Sequence, residues 1–144
     1  MLKLFRFFYF LFSILLTSII TLPIFIVRWR NVKNTELFLK IYKFITVPFM
    51  GFDLQIFNRD ILDGTKPAVV VGNHQHNMDI LVASEVFSYR IVSLGKREIA
   101  YIPFFGQIFW LSGNILIDRG NKIKAMKTMK SIEHYVRSKE LGIV

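Results

Sequence analysis

His74 and Asp79 are the pair whose types and spacing most suggest chemistry. They fall in Gly72-Asn73-His74-Gln75-His76-Asn77-Met78-Asp79-Ile80, just after the apolar run Val69, Val70 and Val71. An imidazole held by a carboxylate on one ring nitrogen can take a proton from a substrate hydroxyl with the other. No single regular element brings these two together. Five residues apart on a helix they diverge by roughly 140°, and on a strand they point to opposite faces. The chain must turn between them. Gly72 and Asn73 are turn residues, and Asp79 then opens a helix through Ile80, Leu81, Val82 and Ala83, where the helix dipole favours a carboxylate. His76 forms His-x-His with His74, but no third ligand stands at a supportive spacing, so no metal is expected. Asn77 suits a turn or cap. Ser84 and Ser93 lack the strand-turn-helix setting of a serine nucleophile.

The elements around the pair read as alternating strands and helices. Asp63-Gly64-Thr65-Lys66-Pro67 is a turn cluster. Residues 68–71 predict a short buried strand. Residues 91–94 predict a second, ended by Gly95, and residues 114–117 a third, closed by Asp118-Arg119-Gly120. Over 121–139, Ile123, Met126, Met129, Ile132 and Val136 share one stripe of a helix. Lys122, Lys124, Lys127 and Lys130 fall off it, and His134 falls on its polar side. This alternation argues for an α/β sandwich with a largely parallel sheet.

The first third of the chain has a different texture. Of 15 Phe, 11 lie in residues 1–57, and mean hydropathy over the chain is +0.42. Residues 7–27 form 21 positions without a charge, long enough as a helix to cross a hydrocarbon core of about 30 Å. The run is too long for a signal peptide, and no Ala precedes Ala68 to make a small-residue cleavage site. Pro23 is expected to kink or end this helix. Lys3 and Arg6 before it nearly balance Arg28, Arg30 and Lys33 after it, so flanking charge sets no orientation. Residues 37–57 are apolar but broken by Lys40, Lys43 and Asp53, which predicts an interfacial or re-entrant helix. The division expected is 1–57, membrane-associating helices, and 58–144, the catalytic part. Net charge is +9, of which residues 1–50 hold +6 (seven Lys or Arg against Glu36). Basic charge beside apolar sequence points to an anionic membrane surface rather than nucleic acid. Cysteine is absent, which excludes disulfides and thiolate metal sites.

The order of these blocks resembles the glycerolipid acyltransferases, and the bacterial 1-acylglycerol-3-phosphate (lysophosphatidic acid) acyltransferases in particular. Asn73-His74 with Asp79 matches their His-x-x-x-x-Asp motif. Lys96-Arg97-Glu98 through Pro103-Phe104-Phe105-Gly106 is similar to their Lys-x-Glu-Leu…Pro-x-x-Gly segment. Gly113-Asn114-Ile115-Leu116-Ile117-Asp118-Arg119 is similar to their Gly-x-Ile-x-Ile-Asp-Arg block. The resemblance covers most of the chain from Val69 onward. It implies the family's sandwich fold behind an N-terminal pair of anchoring helices on the cytoplasmic face of a bacterial inner membrane. It implies transfer of an acyl chain from a coenzyme A or acyl carrier protein thioester to lysophosphatidic acid, giving phosphatidic acid, with no cofactor. His74 would be the base and Asp79 its orienting partner. Arg119, Lys96 and the Gly113 block would serve the acceptor's phosphate. A guanidinium at a strand end can grip phosphate with two hydrogen bonds, and a lysine adds a mobile charge. Read alone, Arg119 could instead pair with Asp118 at a helix start. Tyr101, Phe104, Phe105, Phe109 and Trp110 are apolar enough to line an acyl groove or to serve as core. Another lysolipid or glycerol 3-phosphate is the alternative acceptor, and an inactive membrane-bound fragment is the alternative to an enzyme.

The family's third block, Phe-Pro-Glu-Gly-Thr-Arg, is expected after a strand that Gly142-Ile143-Val144 begins, and the sequence stops there. The expectation is a chain lacking the C-terminal part of the fold, with an unpaired sheet edge and no turnover from the 144 residues alone.

Overall fold

The computed structural model describes residues 2–51, 53, 55–58, 68–73, 76, 79–86 and 91–144. Two long helices open the chain, α1 (Leu2–Val27) and α2 (Lys33–Met50). They form an antiparallel pair. The Tyr9 hydroxyl donates to the Ile45 carbonyl at 2.6 Å, and Phe10 meets Tyr42 edge-on. The chain reverses through residues 28–32. There the side-chain amide of Asn34 donates to the Arg28 carbonyl (2.8 Å) and to the Leu111 carbonyl (3.1 Å). Pro23 does not end α1, which runs on to Val27. The second helix lies earlier than its hydropathy suggests. It starts at Lys33 and stops at Met50, where Gly51 adopts φ 63° in a left-handed cap. One face of α2 buries Phe38, Leu39, Tyr42 and Met50 while Phe44 and Phe49 stand exposed. It is part core and part surface.

Helix α1 is built inside out by the standards of a protein in water. It buries Ser13, Thr17, Ser18 and Thr21 and exposes Phe5, Phe7, Phe8, Phe12 and Ile19. The hydroxyls are satisfied within the helix: Thr17 donates to the Ser13 carbonyl (2.7 Å), Ser18 to Ile14 (2.8 Å) and Thr21 to Thr17 (2.8 Å). None of these hydroxyls requires water, whereas the Nε of Arg6, nearer the N-terminus, is buried without a partner among the described residues. Among the described helices, α1 is the one long and apolar enough to cross a membrane.

The remaining elements are α3 (Asp79–Val86), β1 (Ile91–Val92), β2 (Leu94–Lys96), a 3-10 helix (Arg97–Tyr101), α4 (Phe105–Leu111), β3 (Ile115–Ile117), α5 (Lys122–Lys139) and β4 (Gly142–Ile143). All strand pairings are parallel: β1 with β4, β2 with β3, and Val69 with Ile143 in a single bridge. Strands β1 and β2 are one extended stretch interrupted at Ser93. The order across the sheet is therefore residues 68–70, β4, β1 with β2, then β3. Gly95 does not end the second strand, which continues through Lys96. A Cβ at Gly95 would stand 2.8 Å from the side-chain ends of both Ile99 and Phe109, so a larger residue here would require those side chains to shift. The expected unpaired edge at the end of the chain is not found. The Ile143 amide donates to Ala68, the Val70 amide to Ile143, and the Val144 amide to Val92, so β4 lies inside the sheet. The outer strand is 68–70, and it is not buried as expected: Val69 is 75% exposed.

Helices α1, α2, α3 and α4 share one apolar cluster through Phe10, Phe25, Phe38, Tyr42, Leu81 and Ile108, so the cluster joins elements on both sides of residue 57. Helix α5 is capped by Asn121, whose side chain accepts from the Lys124 amide at 3.0 Å. Its expected stripe is mostly open: Ile132 is buried, but Ile123, Met126 and Met129 are exposed.

Candidate active site

Parallel strands place their C-terminal ends along one edge, the usual position of a site in an α/β sheet. Here that edge carries Gly72 and Asn73 after the outer strand, Lys96 at the end of β2, and Asp118 with Arg119 after β3. His74 lies outside the described residues, as do Gln75, Asn77 and Met78. The other residue of the motif, Asp79, is described. Asp79 is the first residue of α3. Its carboxylate Oδ2 accepts from the His76 amide (3.1 Å), while its own amide donates to the His76 carbonyl (3.0 Å). This reciprocal pair ties Asp79 to the His76 backbone. It resembles a capping arrangement, in which a side chain satisfies an amide that the first helical turn leaves open. A carboxylate there also sits at the positive end of the α3 dipole. The α3 helix is anchored in turn by Leu81, fully buried in the helical cluster. Helix α3 is thus packed against α2.

Lys96 and Arg119 come to the same edge. Lys96 is in register with Ile117, two residues before Arg119, and both side chains belong to exposed residues. Asp118 does not pair with Arg119. Its Oδ2 accepts from Arg97 Nη1 at 3.1 Å and its Oδ1 from the Gly120 amide at 3.2 Å. That bond ties the ends of β2 and β3 and leaves Arg119 projecting from the turn. Arg97 is the site residue the sequence did not single out. Its signal was the register that puts residue 97 opposite residue 118, which a strand pattern alone does not contain. Gly113 sits elsewhere. It precedes β3, at the opposite edge of the sheet, with φ 77°. A Cβ there would meet the Arg30 carbonyl at 3.2 Å and the Tyr135 hydroxyl at 3.4 Å. Glycine is needed for the corner, and the structure does not bring it to Arg119.

The aromatic segment divides. Phe105 packs on the helical cluster, whereas Tyr101, Phe104 and Trp110 are exposed. Phe104 holds φ 62°, an uncommon conformation for a bulky residue. Gly106, just after it, packs so tightly that a Cβ would fall 2.5 Å from the Ile99 carbonyl oxygen. Among the described residues no three His, Asp or Glu side chains gather to hold a metal.

Comparison with known sequences points the same way as the strand-end residues. The acyltransferase family's sequence profile matches residues 53–144. The chain is similar to the 1-acyl-sn-glycerol-3-phosphate acyltransferase of Escherichia coli (strain K12), 32% identical over 114 residues, covering 79% of this chain and 46% of the relative. It is similar to the protein of that name from Haemophilus influenzae, 32% identical over 145 residues, with 99% and 59% covered. The alpha form from Mus musculus is 30% identical over 130 residues, with 90% and 45% covered. The chain thus spans about half the length of the curated relatives it matches. No solved structure matches it.

Proposed function

Because this chain belongs to the acyltransferase family, we propose that the protein transfers an acyl chain from a thioester to the free hydroxyl of 1-acyl-sn-glycerol 3-phosphate. The carrying observation is that Asp79 heads α3 while two cations, Lys96 and Arg119, stand at the C-terminal ends of neighbouring parallel strands. The relatives' names supply the acceptor. His74 takes the hydroxyl proton, and the oxygen attacks the thioester carbonyl. The tetrahedral intermediate collapses by breaking the C–S bond, and the thiolate leaves with the proton from the His74 imidazolium. Asp79 steadies the imidazole and its cationic form. Lys96 and Arg119 hold the acceptor's phosphate. The donor is a coenzyme A or acyl carrier protein thioester, and no metal or cofactor enters. The exposed apolar face of α1 and its basic flank support attachment to an anionic membrane, on the cytoplasmic side where such thioesters occur.

The test uses the complete open reading frame that contains this chain, assayed with labelled lysophosphatidic acid and an acyl thioester. His74→Ala should lower turnover about 10²–10⁴-fold, the scale of a lost general base. Asp79→Asn should also be severe. It can leave the imidazole in the wrong tautomer. Near-normal turnover in either variant rules the mechanism out. Arg119→Ala should weaken phosphorylated acceptors more than monoacylglycerol, and equal losses would make Arg119 structural.

A further inference from the structure

We propose that a second basic recess, on the sheet edge opposite the candidate active site, binds a phosphate-bearing anion. The recess has a volume of about 370 Å³ and lies between the α1–α2 turn and the last turn of α5. Arg30, Lys33 and Lys139 line it with Trp29 and Tyr135, and among the described residues no carboxylate does. Gly113 and Leu141, which precede β3 and β4, lie against the same turn and recess. This is therefore the N-terminal edge of the parallel strands. Lys96 and Arg119 follow the C-terminal ends, about 10 Å of strand away at the usual rise per residue. One phosphate cannot satisfy both groups.

Lys139 alone has an ordinary explanation, since a cation suits the C-terminal carbonyls of a helix. That explanation does not extend to Arg30, which arrives from a segment more than a hundred residues away in sequence. Arg30 and Lys139, brought to one cavity from distant segments, repel unless an anion joins them. Arg30 is also prepared for such a ligand. Its guanidinium lies over the Trp110 ring, 4.8 Å from the centroid, and Trp29 meets Trp110 edge-on at 5.1 Å. Stacking occupies the face of the guanidinium and leaves its in-plane N–H donors for phosphate oxygens. Trp29 lies two residues beyond the end of α1, and tryptophan beside arginine and lysine is the composition of the headgroup layer. A lipid headgroup and a soluble phosphate share the required chemistry.

Of the chain's two tryptophans, Trp29 lines this recess and Trp110 packs on Trp29 and Arg30, so intrinsic fluorescence reports on it. In neutral detergent, the protein is titrated with dihexanoylphosphatidylglycerol, with inorganic phosphate and with uncharged dihexanoylglycerol. The expected result is a saturable shift with phosphatidylglycerol. Arg30→Gln and Lys139→Gln should each weaken it about ten- to a hundredfold, as the loss of one charged hydrogen bond does. Arg119→Gln should leave the titration unchanged, which separates this recess from the acceptor site. Saturation by inorganic phosphate, with competition between the two, also supports the proposal and makes the phosphate group itself the ligand. Saturation by phosphatidylglycerol alone makes the ligand a lipid. A response shared with dihexanoylglycerol, or one indifferent to both substitutions, overturns it. Should Arg30→Gln fail to fold, the exposed Lys139 carries the same test.

Discussion

Helices α1 and α5 turn opposite chemistries outward. In α1 the hydroxyls of Ser13, Thr17, Ser18 and Thr21 are buried and closed on backbone carbonyls, and the phenylalanines face out. In α5, Lys122, Lys124, Lys127 and Lys130 are exposed, and of its described residues Ile132 is the buried one. The lesson concerns solvent. A helix whose buried hydroxyls close on its own backbone and whose apolar surface is outside is favoured in hydrocarbon and costly in water. Helix α5, like α1, has an open apolar stripe but adds four exposed lysines, which are costly in hydrocarbon. The contrast is compatible with membrane association of α1 and not of α5.

The sharpest way to break that contrast is to place one charge on each outer face. Ile19 is 49% exposed near the middle of the apolar run. Ile19→Arg should cost about 2.5–3.5 kcal/mol of membrane insertion, the scale for arginine at a helix centre. Recovery in the membrane fraction should fall accordingly. Met126→Arg on α5, at 57% exposure, should change nothing beyond about 0.5 kcal/mol, the range of ordinary surface substitutions. Unchanged membrane recovery of Ile19→Arg would place α1 in water and erase the distinction.

A smaller effect tests how α5 is held. Ile132→Ala removes its buried anchor and should cost about 2 kcal/mol or more, whereas Ile123→Ala, at an exposed position, should be nearly silent in thermal unfolding. Equal losses would mean that the whole stripe is covered in the working protein.

Residues 121–139 show what a sequence holds and what it lacks. The 3.6-residue period named the right helix and the right face, and Asn121 marked its start. Periodicity says which residues share a face, not what lies against it, so the open stripe was illegible. The strand run 91–94 was legible for its β-branched residues, but its continuation through Gly95 was not. That glycine answers to Ile99 and Phe109, contacts that exist only after folding. The place of Gly142-Ile143-Val144 inside the sheet depends on strand order, which no local pattern encodes. In the site, Asp79 at a helix start followed from the turn residues before it. The Arg97–Asp118 bond and the distance between Gly113 and Arg119 followed from register. The recess around Arg30 joins residues 29–33 to 135–141, a pairing with no sequence period to announce it.

The smallest expected effect lies where α1 meets α2. Tyr42 is fully buried. Burial pushes its phenol well above the ordinary range, against smaller opposite pulls from the Ser13 and Thr46 hydroxyls nearby. Those hydroxyls are close, yet none meets Tyr42 with hydrogen-bond geometry among the described residues; the Ser13 hydroxyl donates to the Phe10 carbonyl instead. Tyr42→Phe should therefore be neutral or slightly stabilising near neutral pH, because it removes a buried polar group with no bond to lose. The pH dependence has a definite sign. A group whose folded pKa is raised contributes fully below its unfolded value, about 10 for tyrosine. As pH rises through that value the unfolded chain ionises first, and stability falls. Chemical denaturation at pH 8 and pH 11 should show a loss in the parent protein that Tyr42→Phe reduces. The same substitution should help the helix pair survive an alkaline wash of membranes, so that retention there reports on α1 and lipid rather than on the α1–α2 contact. An equal alkaline loss in both proteins would move the sensitive group away from this interface and leave Tyr42 a packing residue.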